Sequence, residues 1–190
     1  MSKTNLNILR DRAFKIAFDH GFHAKELSNE HWFCLVISEL MEAVEADRKD
    51  EHFVELNDID NYIRACLINK EQAFEAYIKD TVEDELADAA IRLLDFAGLK
   101  NIPINSFIDM DIEDASESCN DETFTESIYA ISTIPIRHEY EYDANLDKQV
   151  NSMLLAILGL AKHLDISLIW HIEEKMKYNK LREPMHGKQY

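Results

Sequence analysis

Residues 81–98 read TVEDELADAAIRLLDFAG, and their spacing decides the fold class. Val82, Leu86, Ala89, Ala90, Leu93 and Ala97 recur at three- and four-residue steps, the period of one helix face. The pattern extends back to Glu71, so a helix is expected over Glu71–Ala97 with Gly98 ending it. The same period appears elsewhere. Leu6, Leu9, Ala13, Ile16 and Ala17 mark a helix over about 5–20, with Gly21 placed to end it. Phe33, Val36, Ile37, Leu40 and Val44 mark another over about Asn29–Lys49. Two more follow, over about Asn145–His163 and from Ser167 to Arg182, with Asp165 as N-cap and Pro184 as stop.

Two segments lack this regularity. Residues 50–70 read as a loop with a short helix near Ile59–Ile68. Residues 100–142, punctuated by Pro103 and Pro135, read as a solvated excursion with a short helix near Phe124–Ser132. Eight acids and no Lys or Arg lie between Asp109 and Glu126. With only four Gly and three Pro in 190 residues, the turn residues of an all-β fold are missing. The expected architecture is all-α: one domain, 1–190, built as a bundle of four to five long helices with insertions near 50–70 and 100–142.

A formal net charge of -17 argues against stable nucleic-acid binding, which needs cations along a phosphate backbone. The final twenty residues run the other way, with five basic residues against three acidic. No stretch approaches a membrane span, and the N-terminus has no apolar signal core, so a cytoplasmic location is expected. Cys34, Cys66 and Cys119 are widely separated and read as reduced thiols rather than zinc ligands.

The acids on two helices carry the chemistry. Glu39 and Glu42 are three residues apart, as are Glu85 and Asp88, so each pair converges on one point. Both pairs lie away from the apolar stripe of their helix. The plain alternative is a solvated face, with Arg92 bridging Asp88 four residues away. Four carboxylates facing one cleft would repel each other without a cation, and hard divalent ions such as Mg²⁺ take oxygen ligands of this kind. A di-iron centre needs Glu-x-x-His on two helices, and the one such spacing, Glu183 to His186, straddles Pro184. Asp109, Asp111 and Glu113 hint at a calcium loop, but Asp114 stands where that loop needs Gly. His20 and His23 have no partner pair and read as surface or packing residues. In the last helix Lys175, Asn179 and Arg182 share a face with His171, suited to a polyphosphate or, alternatively, to the helix dipole.

These motifs together resemble the MazG-like branch of the all-α nucleoside triphosphate pyrophosphatase superfamily, relatives of the dimeric dUTPases. The resemblance rests on SELMEAVEADRK at 38–49, EDELADAAIRLLDFAG at 83–98 and KMKYNKLREPMHGK at 175–188. It implies an enzyme that hydrolyses nucleoside triphosphates to monophosphates and pyrophosphate. Glu39, Glu42, Glu85 and Asp88 would hold Mg²⁺, with Mn²⁺ as a substitute, and Lys175, Asn179 and Arg182 would hold the nucleotide. Glu45 or Glu83 would orient the attacking water. The resemblance also implies a homodimer or larger assembly. The gap between the two acidic motifs is longer than in compact members of the group, and the acidic excursion has no counterpart there. A dUTP-specific enzyme and a non-catalytic helical dimer are the competing readings.

Overall fold

The computed structural model describes residues 5–53 and 55–183, the side chains of 55–58 excepted. Among the described residues the chain forms nine helices and no strand. In order they are α1 (Leu6–Asp19), α2 (Asn29–Arg48), α3 (Glu55–Cys66), α4 (Lys70–Tyr77) and α5 (Val82–Leu99). Then come α6 (Asp109–Glu117), α7 (Phe124–Tyr140), α8 (Leu146–His163) and α9 (Leu168–Asn179). The all-α bundle is thus present, with α5 at its centre, packed against α1, α2, α8 and α9. No single helix among the described residues is long and apolar enough to cross a membrane.

The ends of α1, α2 and α8 fall where the periodicity places them, because side-chain caps define them. Asn5, Ser28 and Asn145 accept the backbone N–H of Asn7, His31 and Lys148. Gly21 takes a φ of 83° just past α1, the left-handed geometry that ends helices.

Other expectations are corrected. The helix expected over Glu71–Ala97 is two helices, broken between Ile78 and Thr81. Asp80 there has a φ of 65°. Thr81 caps α5 by accepting the N–H of Asp84 at 3.3 Å, and the Asp84 carboxylate accepts the N–H of Asp80 at 3.1 Å. This reciprocal capping starts a new helix in the middle of an unbroken apolar pattern. The apolar residues of α4 serve a second, smaller core, where Phe74 and Ile78 join Phe53, Tyr62 and Tyr178.

Gly98 does not end α5 but lies within it. A Cβ at that position would stand 2.5 Å from Cβ of Phe14, so glycine sets how closely α1 and α5 approach. Gly159 of α8 meets Ala115 of α6 in the same way, at 2.6 Å from its Cβ.

Residues 100–142 are not a solvated excursion either. Ile102, Ile104, Phe107, Cys119, Ile128 and Ile131 enter the main core. α7 runs through Pro135 to Tyr140, well past the expected short helix, and α6 occupies the acidic run that hinted at a calcium loop. Exposed acids hid α6, and Pro135, a helix breaker by rule, shortened the expected α7. Asp165 is not an N-cap: with a φ of 56° it is a left-handed residue that follows α8, and α9 starts after Ser167. α9 ends at Asn179, which leaves Arg182 beyond the helix. The stop expected at Pro184 lies outside the described residues.

Candidate metal centre

α2 and α5 pack face to face at the acids. Glu39, expected on the side away from the core, is 3% exposed, because α5 covers that side. One carboxylate oxygen each from Glu39, Glu85 and Asp88 lies within 4.8 Å of the other two. Three hard oxygen donors so placed can hold a metal ion. Octahedral ligands about 2.1 Å from Mg²⁺ stand roughly 3–4 Å apart, so little closure is required. Glu42, the fourth expected ligand, is exposed and outside this triad; it faces the cavity on which Glu85 opens.

Cations already touch the cluster. Arg92 donates from Nε to Glu39 at 2.9 Å, so its strong partner is on α2 rather than Asp88 on its own helix. Lys175 places Nζ 2.7 Å from Asp84 and 2.9 Å from Asp88, with only 4% of the residue exposed. The counter-charges are fewer than the acids. Glu39, Asp84, Glu85 and Asp88 contribute four carboxylates against the two cations.

The protonation pattern shows the deficit. Burial pushes the Glu85 carboxyl up to about 9, with the charges of Asp88, Asp84 and Glu39 adding to it against Lys175. Burial likewise raises Asp84 to about 7, opposed by Lys175 and reinforced by Asp88. Burial disfavours the charged form of Lys175, but Asp88 and Asp84 outweigh it and hold the ammonium charged. One oxygen of Asp84, Oδ1, is buried without a hydrogen-bond partner. A cation, or water ordered by one, fits both this orphaned acceptor and the surplus of negative charge.

A cavity of about 640 Å³ adjoins the triad. Glu42, Glu45, Lys49, His52, Lys79 and Glu85 line part of it, between α2, α4 and the start of α5. Glu83 does not face it as a free base: its carboxylate accepts the N–H of Phe53 at 2.8 Å and faces His52 Nδ1 at 3.6 Å. That bond ties residues 51–53 to α5, shaping the cavity wall. Glu45 is exposed on the rim, paired with Arg48 and Lys49.

The three residues expected to hold a nucleotide approach Asp88 from two sides without lining one cavity. Lys175 is committed to Asp84 and Asp88. Asn179 and Arg182 instead border a hollow of only about 50 Å³, shared with Asp88, Arg92 and Asp95. The Arg182 guanidinium lies over the Tyr178 ring at 5.6 Å. His171 is a core residue, buried against Phe53 and Trp170, and burial pulls its pKa down to about 4. His23 is likewise a packing residue, 3.0 Å from Asp95 and stacked on Phe14. Sequence reasoning missed Asp84, whose i, i+4 relation to Asp88 was the available signal for a shared partner. It also missed Lys49, His52 and Lys79, which surface composition alone does not single out.

Compared with known protein families, with curated proteins and with solved structures, the chain matched none.

Proposed function

We propose that the protein is a Mg²⁺-dependent hydrolase that converts nucleoside triphosphates to monophosphates and pyrophosphate. The observation that carries the reading is the convergence of Glu39, Glu85 and Asp88 beside a cavity of about 640 Å³, a volume typical of small-molecule sites. The cavity's charge supports it. Five carboxylates (Glu42, Glu45, Asp50, Glu51, Asp80), joined by Glu85 once it ionises, face two lysines there, so a polyphosphate is repelled unless a cation accompanies it.

The roles follow from placement. Glu39, Glu85 and Asp88 would hold Mg²⁺, and Glu42 stands at the cavity side of the same site. Bound Mg²⁺ polarises phosphoryl oxygens and lowers the pKa of water. Lys175 and Arg92 hold the acids in place by partial neutralisation. Lys49 and Lys79 are the cavity's own cations for phosphate oxygens. Glu45, which faces the cavity while paired with Arg48 and Lys49, would accept a proton from water. Thr81 and Asp84, by capping α5, keep Glu85 and Asp88 at its first turns.

The test is product identification with a panel of ribo- and deoxynucleoside triphosphates, dUTP included. Monophosphate and pyrophosphate in the presence of Mg²⁺ support the reading. Diphosphate and orthophosphate, or no turnover of any nucleotide, overturn it. Turnover of dUTP alone places the enzyme with the dUTPases.

The site also predicts how metal stabilisation depends on pH. Glu85 binds its proton more tightly folded than unfolded, so its contribution is full below about 4.5 and is lost as pH rises through about 9. The metal-free protein therefore loses stability over that window. Mg²⁺ favours the ionised carboxylate and offsets the loss. Thermal melts should show a larger Mg²⁺-dependent rise in Tm at pH 8 than at pH 6; an equal or smaller rise at pH 8 contradicts the ligand role of Glu85.

A further inference from the structure

A second cavity, of about 500 Å³, opens between α3, α4 and α9, and it differs in kind from the acidic one. Two aromatic pairs form its floor, with Tyr62, Phe74 and Tyr178 buried, and exposed Ile63, Leu67 and Leu181 form its rim. Tyr62 meets Trp170 edge-on at 5.7 Å, and Phe74 stacks on Tyr178 at 4.4 Å. The rings are braced from behind: Phe53 stacks on Trp170 at 5.4 Å, and Tyr62 donates its hydroxyl to Glu174 at 2.7 Å. A braced floor and an aliphatic rim around a space of this size suit the apolar body of a small molecule.

Charge decides which ligands fit. The chain is strongly acidic, at a net -17, yet this cavity is lined by three lysines, Lys70, Lys177 and Lys180, and a single carboxylate, Glu174. Glu174 is already satisfied, one oxygen by the Tyr62 hydroxyl and the other by Lys177. Lys70 and Lys180 are exposed. An anion at the mouth meets cations there while its apolar body meets Ile63, Leu67 and Leu181.

We propose that this cavity is a ligand site for a small organic anion with an apolar body, distinct from the metal centre. The proposal is independent of the hydrolase reading. Phe74 joins the two regions, since it lines the cavity and carries the Lys175 ammonium over its ring at 5.3 Å.

The test is a fluorescence titration of the full chain with 8-anilinonaphthalene-1-sulfonate, an aromatic anion, alongside the neutral N-phenyl-1-naphthylamine. Saturable binding of one sulfonate per chain is expected, with the neutral probe at least about tenfold weaker, a difference of about 1.4 kcal/mol. Lys70→Glu combined with Lys180→Glu should weaken the sulfonate by about tenfold or more at unchanged Tm, since both side chains are exposed. Lys25→Glu with Lys148→Glu adds the same charge at lysines that do not line the cavity, and should leave affinity within about twofold. Unsaturable binding, equal affinity for the neutral probe, or equal effects of the two double variants overturns the proposal. So does probe binding that falls as protein concentration rises, which would show that a second copy of the chain occupies the cavity.

Discussion

Glu85→Gln is expected to reduce triphosphate hydrolysis by more than about a thousandfold, about 4 kcal/mol of barrier, while making the metal-free protein more stable at pH 8. The two effects have one cause. Glu85 is 5% exposed and surrounded by Asp84, Asp88 and Glu39, so its ionised form is costly without a cation and required with one. Glutamine keeps the shape and removes the charge. Turnover numbers with Mg²⁺ and urea unfolding with a chelator measure the two effects. Activity within about tenfold of the parent contradicts the ligand assignment, and a less stable metal-free variant contradicts the repulsion that motivates it.

Lys175→Met should destabilise the protein by about 3–5 kcal/mol, because it leaves Asp84 and Asp88 without their shared counter-charge in a buried setting. This is a different outcome from that of a substrate-binding lysine, whose loss weakens nucleotide affinity and spares stability. Urea unfolding of the metal-free protein is the readout, with Lys175→Arg as the conservative variant that retains most of the stability. A loss below about 1 kcal/mol in the Met variant would free Lys175 from its structural role and return it to the nucleotide.

The fold was legible wherever a helix carries a broad apolar stripe and a local cap. α1, α2 and α8 satisfy both conditions, and their bounds follow from Leu6–Ala17, Phe33–Val44 and Val150–Ala161. The failures have separate causes. At Ile78–Thr81 the apolar spacing continues across a break in the helix, and only the bonds that Asp84 makes with Thr81 and Asp80 distinguish a bend from a helix. In α6 five acids among nine residues mask the helix, and in α7 Pro135 reads as a stop although the helix runs through it. Gly98 and Gly159 serve helix contacts, a use that looks identical to helix termination in sequence.

The site was legible in its acids and less so in its cations. Glu39, Glu85 and Asp88 converge as their three-residue spacing on two helices implies, yet burial of Glu39 required knowing that α5 lies on the far side of α2. Lys175, Asn179 and Arg182 all approach α5 near Asp88, but Lys175 is bound up with Asp84 and Asp88 whereas Asn179 and Arg182 border a small hollow. Spacing along one helix fixes directions, whereas partners depend on which helix packs opposite. That is also why Arg92 pairs with Glu39 across helices rather than with Asp88 one turn away.

The claim on which the account depends is that Glu39, Glu85 and Asp88 bind a divalent cation, and Mn²⁺ titration followed by electron paramagnetic resonance tests it without reference to turnover. Added to the full chain at pH 8, Mn²⁺ should lose its free-ion signal in proportion to protein. Excess Mg²⁺ should restore that signal, and Glu39→Gln or Asp88→Asn should weaken binding by at least about tenfold, about 1.4 kcal/mol. A free-ion signal undiminished by the protein, or equal binding in the parent and both variants, would contradict the metal centre.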